Sequence, residues 1–258
     1  MKYTLLFLLL PLLVMCTNPS ASTKRKANSS NPKNVSTENI IEQYVLEHPH
    51  AGESKSIGSV SNGSLENGYL IPFEGKNFRY FDPTSYLAGR AFVNRAVYET
   101  LLHSYNELSA ISPLFYGLME CSNEHGGRIL PHRTHQNGLS CDFMSPLLKN
   151  GKSTTALNQL GADHYFMNFD NNGNYQTDKT YSIDFDAIAQ HLLVLNASAH
   201  KNGLKIEKVI LKIELKDELF ASKYGKKLKQ SGIYFANSLS HLINELHDDH
   251  YHVDFKPI

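Results

Sequence analysis

The stretch HDDHYHVDF, residues 247 to 255, decides how this chain is read. It puts His247, His250 and His252, three of the 13 histidines, within six positions, beside Asp248, Asp249 and Asp254. As a strand, residues 250 to 255 send His250, His252 and Asp254 to one face and Tyr251, Val253 and Phe255 to the other, because strand side chains alternate. The apolar set can enter a core, leaving both histidines together on the opposite face. An exposed polar tail would not need that alternation, so the stretch reads as half of a metal site.

The other half is PHRTHQNGLSCDF, residues 131 to 143. Leu139, Cys141 and Phe143 alternate with Ser140 and Asp142, again a strand with an apolar face and a carboxylate on the other. Gly138 can make the bend before it. His135 lies on the approach, and His132 three residues earlier. If the two strands are neighbours, His135, Asp142 and His252 converge. Two imidazoles, one carboxylate and an open position for water are the set that suits a catalytic zinc. Calcium or magnesium would want more oxygen ligands.

Outward from these halves, strands and helices mix without regular alternation. The expected fold is α+β: a small antiparallel sheet carrying the zinc site, flanked by helices. STENIIEQYVLE (36–47) reads as a short helix capped by Ser36 or Thr37. A turn-rich SIGSVSNGSLENG (56–68) leads to a hairpin-like region over 69–82. Helical spacing of Phe92, Val93, Ala96, Val97, Leu101 and Tyr105 predicts a helix over 89–109. LFYGLME (114–120) and KVILKI (208–213) read as strands. Further helices are expected over 184–201, ending at Gly203, and near 233–246.

Lys plus Arg equals Asp plus Glu at 25 each, and the longest basic tract is Lys24-Arg25-Lys26, so nothing points to nucleic acid. MKYTLLFLLLPLLVMC, residues 1–16, has a charge followed by an apolar run too short to span a bilayer, the order of a secretory signal. Its final Cys16 resembles a bacterial lipoprotein cleavage site, which implies a lipid anchor, although Met15 stands where Gly, Ala or Ser is usual. A plain signal peptide cut a few residues later is the alternative. Residues 17 to about 36 are polar and read as a flexible tether. The division is therefore 1–16 signal peptide, 17–55 tether and short helix, and 56–258 catalytic domain. In an oxidising compartment Cys121 and Cys141 either form a disulfide or remain buried thiols.

His135-x6-Asp142, followed far downstream by His250-x-His252, resembles the metallopeptidases that share a fold with D-Ala-D-Ala peptidases, lysostaphin and hedgehog signalling domains. SIGSVSNG (56–63), GGR (126–128), HRTHQNG (132–138) and HDDHYHV (247–253), in that order, bring residues 56 to 258 closer still to the penicillin-insensitive murein endopeptidases. The resemblance implies one Zn2+ on His135, Asp142 and His252, with His250 as the catalytic histidine. It implies that His247 and His132 are further active-site histidines, His132 lining the substrate or serving a second metal. It also implies a periplasmic enzyme whose partner is peptidoglycan and whose scissile bond joins D-alanine to diaminopimelate.

Two departures stand out. Ser140 occupies a position where the family often has Asp, which puts an outer contact to the metal site in doubt. Asp170 is followed by Asn171, Asn172 and Gly173, so an Asp-x-x-His for a second metal is missing. Other readings stay open: a zinc D,D- or L,D-carboxypeptidase, with Arg128 or Arg133 closing the site, and a non-catalytic zinc-containing peptidoglycan binder. The Ser-x-x-Lys tetrads at Ser30–Lys33 and Ser198–Lys201 lack the companion motifs of a β-lactam-sensitive serine enzyme. His125 reads as a loop residue, and His164, His191, His200 and His241 as surface or helix histidines. Asp248, Asp249 and Asp254 read as solvated or outer carboxylates, and Tyr251 as packing.

Overall fold

Five strands make up the main sheet of the computed structural model, which describes residues 36–258. The expected signal peptide with Cys16, the expected tether as far as residue 35 and the Ser30–Lys33 tetrad lie outside the described residues. In chain order the strands are β1 (Phe78–Tyr80), β2 (Tyr116–Leu118), β3 (Ser140–Met144), β4 (Leu204–Ile210) and β5 (His250–Pro257), arranged β4-β5-β3-β2-β1. The chain is mixed α+β, with three smaller sheets beside this one.

Three pairings of the main sheet are antiparallel, but β1 and β2 run parallel. That departs from the all-antiparallel expectation and has a mechanical cause. Parallel neighbours need a crossover, and helix α2 (Arg95–Ile111) supplies it between them. Asn94 starts α2 by accepting from the Ala96 amide through its side chain, so the helix begins six residues later than helical spacing predicts. Phe92–Val93 instead pairs with Tyr69–Leu70.

Helix α3 (Phe185–Lys201) is capped by Asp184, whose carboxylate accepts from the Ala187 amide. It buries Ile188, His191, Leu192, Leu195 and Ala199, spaced by three or four residues as one helical face requires. α2 does the same with Val97, Leu101, Tyr105 and Leu108. Both faces pack with the apolar side of the sheet. Tyr105 stacks on Phe78 at 4.3 Å, and the His191 ring meets Phe143 at 4.8 Å. Tyr251, Val253 and Phe255 are fully buried, as the alternation predicts.

Elsewhere the chain differs in detail from its sequence reading. The turn-rich stretch is a hairpin, Lys55–Ser59 paired with Asn62–Glu66. The helix expected near 233–246 shrinks to His241–Glu245, capped by Ser240, while Phe235 bridges to Val209 at the sheet edge. Helix α1 (Thr37–Glu47) is capped by Ser36 and sets Ile41 into the core, with its Tyr44 ring on Tyr86. His164 and His191 are buried, not on the surface; His200 and His241 are exposed. Cys121 and Cys141 are free, buried thiols with their sulfurs 3.5 Å apart.

Candidate metal centre

The register of β3 against β5 sets one side of the centre. His252 stands directly opposite Asp142, Asp254 opposite Ser140 and His250 opposite Met144. The pairs between them, Tyr251 with Phe143 and Val253 with Cys141, point into the core. A slip of one residue would exchange the two faces, so core burial also fixes where the histidines stand.

The other side comes from the loop between β2 and β3. Its backbone is tied to its surroundings: the Gln136 amide donates to Val60 O and the Gly127 amide to Gln136 O. His135 has φ of +66°, a left-handed conformation uncommon for a side-chain-bearing residue. Gly138, at φ +77°, makes the bend, and a Cβ there would lie 2.6 Å from the Asn94 amide nitrogen. Gly126 is equally constrained, since a Cβ would come within 2.2 Å of Gln136 O.

These two halves meet at Asp142, which is buried. His252 Nδ1 lies 2.7 Å from Asp142 Oδ1. His135 Nε2 is 3.2 Å and His132 Nδ1 3.6 Å from Asp142 Oδ2. Among the described residues, His132, His135 and Asp142 form a cluster whose ligand atoms all lie within 4.8 Å of one another, a group able to hold one metal ion. Both ring nitrogens of His135 and Asp142 Oδ2 are buried without a hydrogen bond. Buried polar atoms are normally satisfied. Two donors 3.2 Å apart, close to the roughly 3.3 Å between neighbouring ligands of a tetrahedral zinc, fit a shared cation. These residues therefore fit one metal ion, with His132 in the cluster where the sequence reading placed His252.

Carboxylates hold the histidines from behind. His252 Nε2 donates to Asp254 Oδ1 at 2.7 Å, and Ser140 Oγ donates to the same oxygen at 2.7 Å. The outer contact that Ser140 put in doubt is thus present, supplied by Asp254. His132 Nε2 pairs with Glu120, which also accepts from Arg90 at 2.6 Å. His250 Nδ1 donates to Asp249 Oδ1 at 2.5 Å, leaving Nε2 free. A carboxylate behind an imidazole fixes its tautomer and raises its basicity. Asp248, Asp249 and Asp254 are accordingly buried and not solvated.

Burial and charge set the protonation pattern. Burial pushes Asp142 upward, but His135 and His252 outweigh it and hold the carboxyl well below its usual range. Burial lowers His252, yet Asp254 and Asp142 together raise it to about 10. A metal-free His252 is therefore a proton-bearing link between two carboxylates, and a cation in the centre would take over that proton's role. His250 is raised because Asp249 overcomes its burial. His247 is half-buried, with its ring 4.8 Å from that of His250; desolvation, helped by His250, lowers it to about 3, so it stays neutral.

Six sequence-predicted residues, His132, His135, Asp142, His247, His250 and His252, gather in this one region. Arg128 and Arg133 are exposed, and His125 is an exposed loop residue near Glu124. Ser198 is buried in α3, which keeps its hydroxyl from any substrate. Sequence reasoning missed Glu120. Glu120 carried a signal: a carboxylate ending an apolar strand is buried only if paired. No protein-family model matches this sequence, and no curated protein matches it either.

Proposed function

We propose that the chain is a zinc-dependent murein endopeptidase with the fold of D-Ala-D-Ala peptidases and hedgehog domains. It hydrolyses D-alanyl–diaminopimelate cross-links in peptidoglycan, acts in the periplasm and is held to the membrane by lipid on Cys16. The observation carrying this reading is the set of buried, unsatisfied donors on His135 and Asp142 beside His252. His135, Asp142 and His252 would hold the zinc, leaving a position for water. Zinc bound there supplies a polarised scissile carbonyl and a water whose pKa approaches about 7.

The chain's own groups do the rest. His250, anchored by Asp249, has its free Nε2 placed to accept a proton from the attacking water and return it to the leaving amine. Neutral His247 can hydrogen-bond the substrate through its Nε2, since its Nδ1–H is committed to Ile243 O at 2.6 Å. A mechanism that uses no serine nucleophile offers penicillin no target.

The position of His132 favours one second reading. If His132 joins the other three as a fourth protein ligand, the zinc is closed and structural, and the chain is a non-catalytic peptidoglycan binder. Cross-linked muropeptides digested with the purified protein and analysed by mass discriminate the two. Conversion of dimers to monomers supports the endopeptidase. Loss of a terminal alanine alone indicates a carboxypeptidase, and unchanged dimers indicate a binder.

A further inference from the structure

Tyr165 reaches the centre from a segment that no metal-binding pattern marks. It lies in the 3-10 stretch Asn158–Phe166, between β3 and α3. Its ring stands edge-on to His250, with centroids 5.4 Å apart and planes at 90°. On the other side it meets Phe81 at 5.6 Å, also edge-on. The segment is pinned next to the strand that carries His250: His164 Nε2 hydrogen-bonds Asp249 O at 3.0 Å, and the Met167 amide donates back to His164 O at 3.0 Å. His164 before Tyr165 and Met167 two residues after it are buried, while Phe166 between Tyr165 and Met167 is exposed. The tyrosine is therefore held in place from both ends.

Its hydroxyl is the informative atom. It is buried and has no hydrogen-bond partner in the protein. Buried tyrosine hydroxyls normally find one. Burial, then the charges of Glu120 and Asp142, keep it firmly in the protonated form. It is thus an available O–H donor, close enough to Glu120, Asp142 and Asp249 to feel their charge, beside the proposed catalytic histidine. A carboxylate could not donate there, and His250 already uses its Nδ1 proton on Asp249.

We propose that Tyr165 is a catalytic residue whose hydroxyl donates a hydrogen bond to the scissile carbonyl oxygen as that oxygen gains negative charge. The donor matters more as charge develops than in the bound substrate, so its effect falls on turnover and not on binding. The inference rests on the hydrolase reading above.

The test is Tyr165→Phe, which removes the hydroxyl and keeps the ring. Turnover of cross-linked muropeptides should drop about 100-fold, the scale of one lost oxyanion donor, with KM within about twofold. Zinc content should be unchanged. A phosphinic pseudodipeptide, which presents a tetrahedral anion in place of the amide, should bind the variant about 10- to 100-fold more weakly by calorimetry. Tm should not fall, since no partner is left unpaired. Native turnover and phosphinate affinity in the variant overturn the proposal while leaving the hydrolase reading intact. A lower Tm with proportionate loss of zinc also overturns it, by showing a structural role. A wild-type chain that cleaves nothing overturns the hydrolase reading and this proposal with it.

Discussion

The strand-borne and loop-borne halves of the centre are held by different forces. Asp142, His250, His252 and Asp254 sit on β3 and β5, where ladder hydrogen bonds and the buried Tyr251, Phe143, Val253 and Cys141 fix the register. Glu120, His132 and His135 sit on the chain between β2 and β3, shaped by a left-handed His135, two constrained glycines and a few backbone bonds. Moving the strand half would mean unpacking the core, whereas the loop half depends on local contacts. Asp142, where the halves meet, belongs to both.

Substitutions can set the two halves against each other. The largest effect is expected at Asp142, because His132, His135 and His252 all converge on it. Asp142→Asn should take zinc from one ion per chain to almost none, read by elemental analysis, and activity should vanish with it. Full zinc occupancy in that variant would break the picture of a shared centre.

Next comes His250→Ala, which removes a strand residue outside the ligand set. Zinc should remain at one per chain while turnover falls roughly 100-fold or more, the scale of a general acid–base group. Normal turnover would transfer the role to another group, His247 first.

The comparison sharpens further with the two outer carboxylates. Asp254→Asn, behind His252, should weaken zinc by about 10- to 100-fold, as outer-carboxylate changes do. Glu120→Gln, behind His132, should leave zinc affinity within about threefold if His132 lines the substrate. Competition against a calibrated chelator gives both numbers. The reverse pattern would move the ligand role from the strand half to the loop half.

The smallest effect at neutral pH is expected at a histidine on the opposite, apolar side of the sheet. Burial lowers His191 to about 3, and its Nδ1 lies 2.5 Å from the Tyr251 hydroxyl. Above about pH 6.5 it is neutral in folded and unfolded chains alike and contributes no pH dependence. Between about 6.5 and 3 the unfolded chain binds a proton that the folded chain refuses, so stability falls with pH, by at most about 2 kcal/mol at pH 5. His191→Gln should flatten that decline in chemical denaturation series at pH 7 and pH 5. An unchanged slope would mean that other groups dominate it.

Legibility in the sequence followed the same division. Period-two alternation in residues 139–143 and 250–255 announced both strands, their faces and the histidines that share a face, because core burial and strand geometry leave one solution. Helix α3 was also readable: expected over 184–201, it spans Phe185–Lys201. The loop half was legible only as residue types: nothing in HRTHQNG states that His135 takes a positive φ or that His132 leans on Glu120. Tyr165 was invisible, since its place depends on His164 reaching the backbone of Asp249, a contact 85 residues apart. The parallel β1–β2 pairing was hidden because three-residue strands carry too little pattern to show their direction.

The central claim, that zinc on the shared centre drives cleavage of cross-links, is met most directly by one measurement. Purified cross-linked muropeptide dimers are incubated with native protein, with protein stripped by phenanthroline, and with stripped protein given zinc again, and the products are weighed by mass spectrometry. The account predicts monomers in the first and third incubations, intact dimers in the second, and no effect of penicillin on any of them. Monomers persisting after the metal is removed, or dimers left whole by the native zinc-loaded protein, would contradict it.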